Sequence, residues 1–165
     1  GGGGGGQRSG TPNTNTPKTK YKSHHWDVLV HPLRLREGAD ARAAHAYLTQ
    51  SYWSPGIAFE TVEKALANSL CVSALHDGAQ VGMARVITDR ATFAYLADVY
   101  VLDGHGGKGL AKAMVGYLQE HPELQGLRRW MLATRDAHGL YDAMGWQPLA
   151  DPDIFMQRHF PDIYA

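Results

Sequence analysis

Apolar and polar residues alternate with periods that change along the chain, and these periods predict a mixed α/β domain. Residues 24–31 alternate between apolar and polar side chains, which is typical of a β-strand. Residues 38–53 and 59–69 instead place apolar side chains every three or four positions, as helices do. Asp40 precedes the first of these runs and is a suitable N-cap.

Three strand-like runs follow the two predicted helices, at residues 70–76, 79–89 and 91–102. Asp77-Gly78 separates the first two runs, and this dipeptide strongly favours a two-residue hairpin turn. We therefore expect the three strands to form an antiparallel meander.

The remainder of the chain returns to alternating helix and strand. A helix is predicted from Leu110, a strand over 127–134, a short helix over 136–145 that Gly145 ends, and a last strand starting at 146–149. The predicted order is strand, two helices, three strands, helix, strand, helix, strand.

The first 23 residues differ from the rest, because they are rich in Gly, Thr, Asn and Pro and contain almost nothing apolar. Such a segment cannot bury enough surface to offset its conformational entropy. We expect residues 1–23 to be a flexible tail and residues 24–165 to be a single domain.

Composition limits the classes of function. The 16 basic and 16 acidic residues give zero net charge, which argues against a nucleic-acid partner. Cys71 is the single cysteine, so no intramolecular disulfide forms, and we expect it to pack within its strand. No apolar run is long enough for a membrane span, and the nine histidines show no metal-ligand spacing. The sequence predicts a cytoplasmic protein with no metal and no membrane partner, as a monomer or homodimer.

A glycine-rich stretch joins the third meander strand to the next helix. Its sequence GHGGKG, residues 104–109, satisfies the G-x-G-x-x-G pattern of dinucleotide-binding folds. That interpretation requires the stretch in the first βαβ unit and an acidic residue about 20 positions later, where Arg128 and Arg129 stand instead. A P-loop would need Gly at position 102 and Ser or Thr at 109, which are Leu102 and Gly109. Both motifs are rejected.

Glycine-rich loops of these different kinds nevertheless share one physical property, the ability to bind phosphate. Backbone N–H groups of a glycine-rich turn that leads into a helix form a pocket for phosphate oxygens, and Lys108 adds positive charge. The sequence predicts a phosphate-binding loop.

Two segments resemble the signatures of the GNAT acyltransferases: DVYVLDGHGGKGLAKAMV, residues 98–115, and LATRDAHGLYDAMGWQPL, residues 132–149. The order of elements agrees from about residue 25 to 150. The resemblance implies an α/β (α+β) fold with a mixed, mostly antiparallel central sheet, flanking helices and a splayed strand pair that holds acetyl-CoA. It also implies acetyl transfer to a primary amine of a small molecule or peptide, by direct attack in a ternary complex.

The resemblance also implies a set of cofactor contacts. The phosphate loop would supply Gly106, Gly107, Lys108, Gly109, Leu110 and Ala111 to the pyrophosphate of coenzyme A. Backbone groups of Val99 and Val101 would pair with the pantetheine arm, and Thr134 stands where the family often has an Asn that contacts it.

Two positions depart from the family pattern. Gly106 replaces the loop arginine, and Asp103 replaces a proline. A lost charge-assisted phosphate contact is worth roughly 1.5–3 kcal/mol. The sequence therefore leaves open an alternative, a catalytically degenerate acyl-CoA-binding or interaction module.

Catalysis requires an acid for the leaving sulfur and removal of a proton from the amine. By resemblance, Tyr141 is the acid. Asp98 is the base candidate by position, or else a structural acceptor, and His138 is the alternative base. The thioester carbonyl would be polarised by the Val99 N–H.

The acceptor pocket is expected between the first two helices. Tyr52, Trp53 and Phe59, together with Tyr95, would wall an aromatic slot for an amine, although aromatic residues at such spacing also pack in cores.

Overall fold

A computed structural model describes residues 33–107 and 109–165, so the predicted tail, the strand expected at 24–31 and Lys108 lie outside the described residues. A five-stranded sheet forms the centre of the domain, and its strands lie side by side in chain order. The strands are β1 (Leu33–Glu37), β2 (Leu70–His76), β3 (Ala79–Thr88), β4 (Phe93–Val101) and β5 (Arg129–Leu132).

Helices precede and interrupt the strands at the predicted places. They are α1 (Ala41–Leu48), α2 (Phe59–Ala67), α3 (Leu110–Gln119) and α4 (His138–Asp142), with short 3₁₀ turns at Pro122–Leu124 and Pro152–Ile154. The predicted N-cap is confirmed, because the carboxylate of Asp40 accepts a hydrogen bond of 2.8 Å from the Ala43 N–H. None of the helices in the described ranges has the length and apolar character that crossing a membrane requires.

The antiparallel meander is confirmed, because each of the strands β1, β2 and β3 pairs antiparallel with the next strand in the chain. In the β2–β3 hairpin, Asp77 has φ 51° and Gly78 has φ 83°. Left-handed conformations at both central residues define a type I′ turn, whose twist matches that of the flanking strands.

The two faces of the sheet bury different helices. Leu110, Met114 and Leu118 of α3 are buried against one face. On the other face α1 and α2 pack against Met83 of β3 and Tyr100 of β4. Both faces of the sheet therefore remove apolar helix surface from water, which is the principal stabilising contribution to such a domain.

The strand pair β4 and β5 opens like a fork. The two strands are parallel and pair only where Phe93–Leu96 lies beside Arg129–Leu132. Beyond Leu96 the strand β4 continues to Val101 without a β5 partner among the described residues. The expected splayed pair is thus present.

A β-bulge lies at the point where the fork opens. The β3–β4 register shifts between Met83 and Arg85, and Asp98 on the facing strand has φ 54°. A left-handed residue in a bulge turns the following backbone and side chains relative to a regular strand.

The last strand predicted at 146–149 is wrong, because these residues are irregular. Gly145, at φ 95°, ends α4 in a Schellman motif, in which the Trp146 N–H donates to the Tyr141 carbonyl at 3.0 Å. Pro148 has no N–H to offer a strand. Trp146 and Pro148 therefore have no backbone N–H to offer a neighbouring strand. The strand β1 at 33–37 is not among the strands predicted from the sequence.

Candidate active site

The glycine-rich loop ends in an αL residue, Gly109 at φ 73°, which leads directly into α3. Gly107, at φ 75°, also has a conformation that favours glycine. The backbone N–H groups of five loop and first-turn residues make no hydrogen bond to any described residue: Gly106, Gly107, Gly109, Leu110 and Ala111. These donors, at the positive end of a helix dipole, are available to an anion.

The space in front of the loop is open. A Cβ atom built on Gly104, Gly106, Gly107 or Gly109 would contact nothing within 4 Å. The Nδ1 atom of His105 is buried there and has no partner among the described residues, and its ring centroid lies 5.2 Å from that of His76. Unused amide donors beside open space fit the phosphate oxygens of a nucleotide such as coenzyme A, whereas the buried His105 Nδ1 atom is shielded from that space.

The free edge of β4 offers a second set of backbone groups. The Leu102 N–H donates to the Val81 carbonyl of β3 at 2.8 Å. Because successive residues of a strand direct their N–H and C=O groups to opposite sides, Val101 directs its own toward the fork. Val99, two residues earlier and just after the bulge, lies on the same side. An extended arm lying in the fork would find pairing groups there.

Tyr141 lies on α4, the helix that follows β5, and is 7% exposed. Burial, and to a smaller extent the neighbouring Tyr52 hydroxyl, raises the pKa of Tyr141. Its ring contacts Trp146 edge-on at 5.9 Å. Its hydroxyl makes no hydrogen bond to another described residue, so it is a protonated donor available to a bound group at neutral pH.

Both carboxylate oxygens of Asp98 accept hydrogen bonds. Its Oδ2 atom accepts a hydrogen bond from Arg85 Nε at 2.8 Å, and its Oδ1 atom accepts one from Trp53 Nε1 at 2.8 Å. Both charged side chains are largely buried, with 11% of Asp98 and 15% of Arg85 exposed. Arg85 also donates to Ser69 Oγ at 3.0 Å. These contacts favour the structural interpretation of Asp98 over that of a general base.

Aromatic side chains form a continuous row from the sheet to the surface. Tyr100 stacks on Tyr47 at 4.1 Å, Tyr47 lies 6.1 Å from Trp53, and Trp53 lies 5.1 Å from Tyr52. The guanidinium carbon of Arg135, from the β5–α4 turn, lies 4.2 Å from the centre of the Tyr52 ring. Tyr52 and Trp53 thus lie next to each other, with Trp53 bonded to Asp98 of β4, and both rings are exposed.

A cleft of about 680 Å³ opens along this row. Its walls come from α1, the loop after α1, the start of β3 and the residue after β4, and include Tyr47, Tyr52, Trp53, Gln80 and Leu102. The C-terminal segment borders the same loop, because a Cβ atom on Gly56 would lie 2.7 Å from the Tyr164 carbonyl oxygen. An acceptor molecule has room to approach the fork from this side.

The other predicted site residues lie elsewhere. Phe59 packs between the helices, with His45 at 5.8 Å and Arg42 at 5.2 Å, and none of its ring contacts joins it to Trp53. Tyr95 lies in the closed part of the fork, opposite Met131.

Two further predicted residues lie on the β5–α4 side. The Thr134 hydroxyl accepts from the Ala137 N–H at 3.0 Å, so it orders the turn before α4. His138 is exposed at the start of α4. The described part of the chain contains no group of three or more His, Cys, Asp or Glu side chains that would hold a metal ion.

Two residues of the site were missed from the sequence, Arg85 and Arg135. Arg85 had a usable signal, because it is a single charge inside the apolar run of β3 and thus needs a partner within the fold. Arg135 lies in the second GNAT-like segment, but its contact with Tyr52 joins residues 83 positions apart, and only the fold reveals it.

Comparisons with known proteins agree with this geometry. The model of the acetyltransferase (GNAT) family matches residues 33–146. A GNAT-family protein from Xanthomonas campestris pv. campestris has 43% sequence identity and a TM-score of 0.76, over 80% of this chain and 97% of that one. A crystal structure from Clostridium acetobutylicum, described as a predicted acetyltransferase with acetyl-CoA, shares the fold at 14% identity and a TM-score of 0.59, over 77% of this chain and 96% of that one.

Among curated sequences, Putative acetyltransferase FG08082 from Gibberella zeae is 49% identical over 65 residues, which make up 38% of this chain. The aligned part spans only 36% of that relative's length. The family model covers most of the described domain, including the loop, the fork and Tyr141. The chain belongs to the GNAT family of acetyltransferases.

Proposed function

We propose that the protein transfers an acetyl group from acetyl-CoA to a primary amine of a small molecule or peptide, by direct attack within a ternary complex. The observation that carries the proposal is the fork between β4 and β5, together with the unused amide donors of the loop that follows β4 and the Tyr141 hydroxyl on the helix that follows β5. These groups would suit a long phosphorylated thioester that lies in the fork with its phosphates at the loop.

The cofactor contacts follow from the free donors. The amides of Gly106, Gly107, Gly109, Leu110 and Ala111 would hold the pyrophosphate, and Val99 and Val101 would pair with the pantetheine arm. The N–H of Val99 would polarise the thioester carbonyl. Lys108 would add charge at the loop.

Tyr141 acts as the acid in this proposal. As the amine nitrogen bonds to the carbonyl carbon and the carbon–sulfur bond breaks, the Tyr141 hydroxyl gives its proton to the leaving sulfur. The raised pKa of Tyr141 keeps that proton on the hydroxyl at neutral pH. The amine loses its surplus proton to water, and the tyrosine regains one from the same source.

Asp98 is assigned a positioning role. It fixes the bulge that directs Val99 toward the fork and joins β4 to the loop carrying Trp53. His138 is exposed and stays the alternative base, acting through water.

The test is a two-part measurement on the purified protein. Calorimetric titration with acetyl-CoA measures cofactor binding, and release of free coenzyme A thiol in the presence of a panel of primary amines measures transfer. Binding with amine-dependent thiol release and an acetylated amine detected by mass spectrometry supports the proposal.

The alternative is an acyl-CoA-binding module without turnover. Gly106 in place of an arginine and the engagement of both Asp98 oxygens are the features that favour it. Binding of acetyl-CoA without acetylation of any amine in the panel would support this alternative, whereas the absence of binding would exclude both.

A further inference from the structure

Charged side chains lie at two points along the row of aromatic rings Tyr100, Tyr47, Trp53 and Tyr52. The one carboxylate that the contacts join directly to this row, Asp98, is already bonded to Arg85 and Trp53. The cation at the end of the row, Arg135, has no carboxylate within 4.0 Å among the described residues. The acceptor side of the site thus has an available positive charge in Arg135, while the carboxylate bonded to its aromatic row, Asp98, is already paired.

The position of Arg135 prepares it to bind an anion. Its side chain is exposed, and its guanidinium lies over the Tyr52 ring at 4.2 Å. A guanidinium that stacks on an aromatic ring keeps its N–H edge in the plane and available, and this fork of donors matches the two oxygens of a carboxylate. Stacking also reduces the rotamer freedom that binding would otherwise remove.

Arg135 lies near the reacting end of the site. Tyr52, beneath the guanidinium, is close enough to Tyr141 to raise its pKa, and Tyr52 contacts Trp53, which is bonded to Asp98. An amine placed in the fork would therefore have Arg135 within reach of its other substituents.

We propose that the acceptor is an amine that also carries a carboxylate, and that Arg135, stacked on Tyr52, binds this carboxylate. This inference rests on the proposed acetyltransferase function and names the substrate class for the same site. Polycationic amines are disfavoured, because their remaining ammonium groups would face the Arg135 guanidinium.

The probes are pairs of L-amino acids and their primary carboxamides, taken from Phe, Leu and Met, with spermidine as a polycation. Each pair differs only in the negative charge. The carboxamide is the less basic amine and has more of its unprotonated form at pH 7.5, so intrinsic reactivity favours it. A preference for the acid therefore reports recognition by the protein.

We expect kcat/KM for the preferred amino acid to exceed that for its carboxamide by about tenfold to hundredfold, the value of a charge-assisted hydrogen bond. Arg135→Gln lowers kcat/KM for the acid by the same factor, mainly through KM, and leaves that for the carboxamide unchanged. Arg135→Lys keeps part of the preference. Arg158→Gln is the matched control, because Arg158 also lies over an aromatic ring, Phe160, at 5.4 Å. It leaves both rates unchanged.

Several results would overturn the inference. These are equal or better use of carboxamides or spermidine by the wild type, a preference that survives in Arg135→Gln, or an equal loss for acid and carboxamide. Binding of acetyl-CoA with no acetylation of any amino acid would also overturn it while leaving cofactor binding intact. If calorimetry shows no acetyl-CoA binding, the proposed function itself fails, and the inference fails with it.

Discussion

Gly106 is the position at which the phosphate loop can be tested by adding a group. Its φ lies outside the left-handed region, unlike those of Gly107 and Gly109, and a Cβ there would contact nothing within 4 Å. Gly106→Arg therefore introduces a guanidinium beside the free amides without backbone strain. We expect the variant to keep the stability of the wild type.

The size of the effect follows from the contact that is added. A hydrogen bond between a charged donor and a phosphate oxygen contributes about 1.5–3 kcal/mol. Since each 1.4 kcal/mol changes an equilibrium constant tenfold, the Kd for acetyl-CoA should fall by about tenfold to hundredfold. Calorimetric titration of the wild type and the variant at two salt concentrations measures it. The gain should shrink at the higher salt concentration, because exposed charges are screened.

Gly106→Gln is the matched control, since it adds a comparable side chain without the charge. A gain in affinity shared equally by the Gln and Arg variants would attribute it to packing. If acetyl-CoA binds to the wild type and the Arg variant leaves Kd unchanged at low salt, the pyrophosphate does not lie at this loop, and the placement of the cofactor is wrong.

Four further substitutions or reactions test other parts of the structure. Tyr141→Phe should lower kcat by about 10²- to 10⁴-fold with little change in the Kd for acetyl-CoA; in the wild type the raised pKa of Tyr141 should place any alkaline loss of activity above pH 10, as a pH–rate profile will show. Asp98→Asn should lower the Tm and kcat without moving the acid limb of that profile, whereas a shifted limb would identify Asp98 as the base. Burial raises the pKa of the Cys71 thiol to about 12, so it should react with Ellman's reagent only as the protein unfolds. Because its folded pKa is raised, Cys71 contributes stability that is present at neutral pH and is lost as pH rises toward 12. Glu37→Leu removes the acceptor of two buried donors and should lower the free energy of unfolding by about 2–4 kcal/mol in urea titration, and an unchanged midpoint would contradict the structure.

Local sequence patterns predicted most of the fold. The hairpin at Asp77-Gly78, the cap at Asp40 and the apolar repeat of α3 each depend on neighbouring residues, and each is present. The strand at 33–37 has a sequence signal as well, since Leu33 and Leu35 alternate with arginines, but the run is short and stops at a glycine, so it does not differ clearly from a loop.

The failure at 146–149 has a different origin. Trp146 looks like a strand residue, but its backbone N–H ends α4 and its indole donates to Gln119 Oε1 at 2.7 Å. These bonds depend on where α3 and α4 lie in the fold, and a pattern of apolar residues does not contain that information.

The part of the candidate site that consists of backbone groups could be predicted from the sequence. Glycines at a strand-to-helix junction indicate free amides wherever they occur, so the loop was found from the sequence. Partnerships between distant side chains were not accessible: Trp53 and Asp98 are 45 positions apart, and Arg85 and Asp98 are 13 apart. The electrostatic role of Asp98 depends on both contacts.

The double attachment of Asp98 has a thermodynamic consequence. One carboxylate joins the strand along which the thioester arm would lie to the loop that would receive the amine. If the pantetheine arm makes β4 more rigid at the bulge, it also makes the Trp53 loop more rigid. The amine then loses less conformational entropy of the protein when it binds. Coupling of this kind is reciprocal, so the two substrates should raise each other's affinity by the same factor. We expect synergistic rather than independent binding in steady-state kinetics, and a variant that cuts the link from Trp53 to Asp98 should make the two affinities independent.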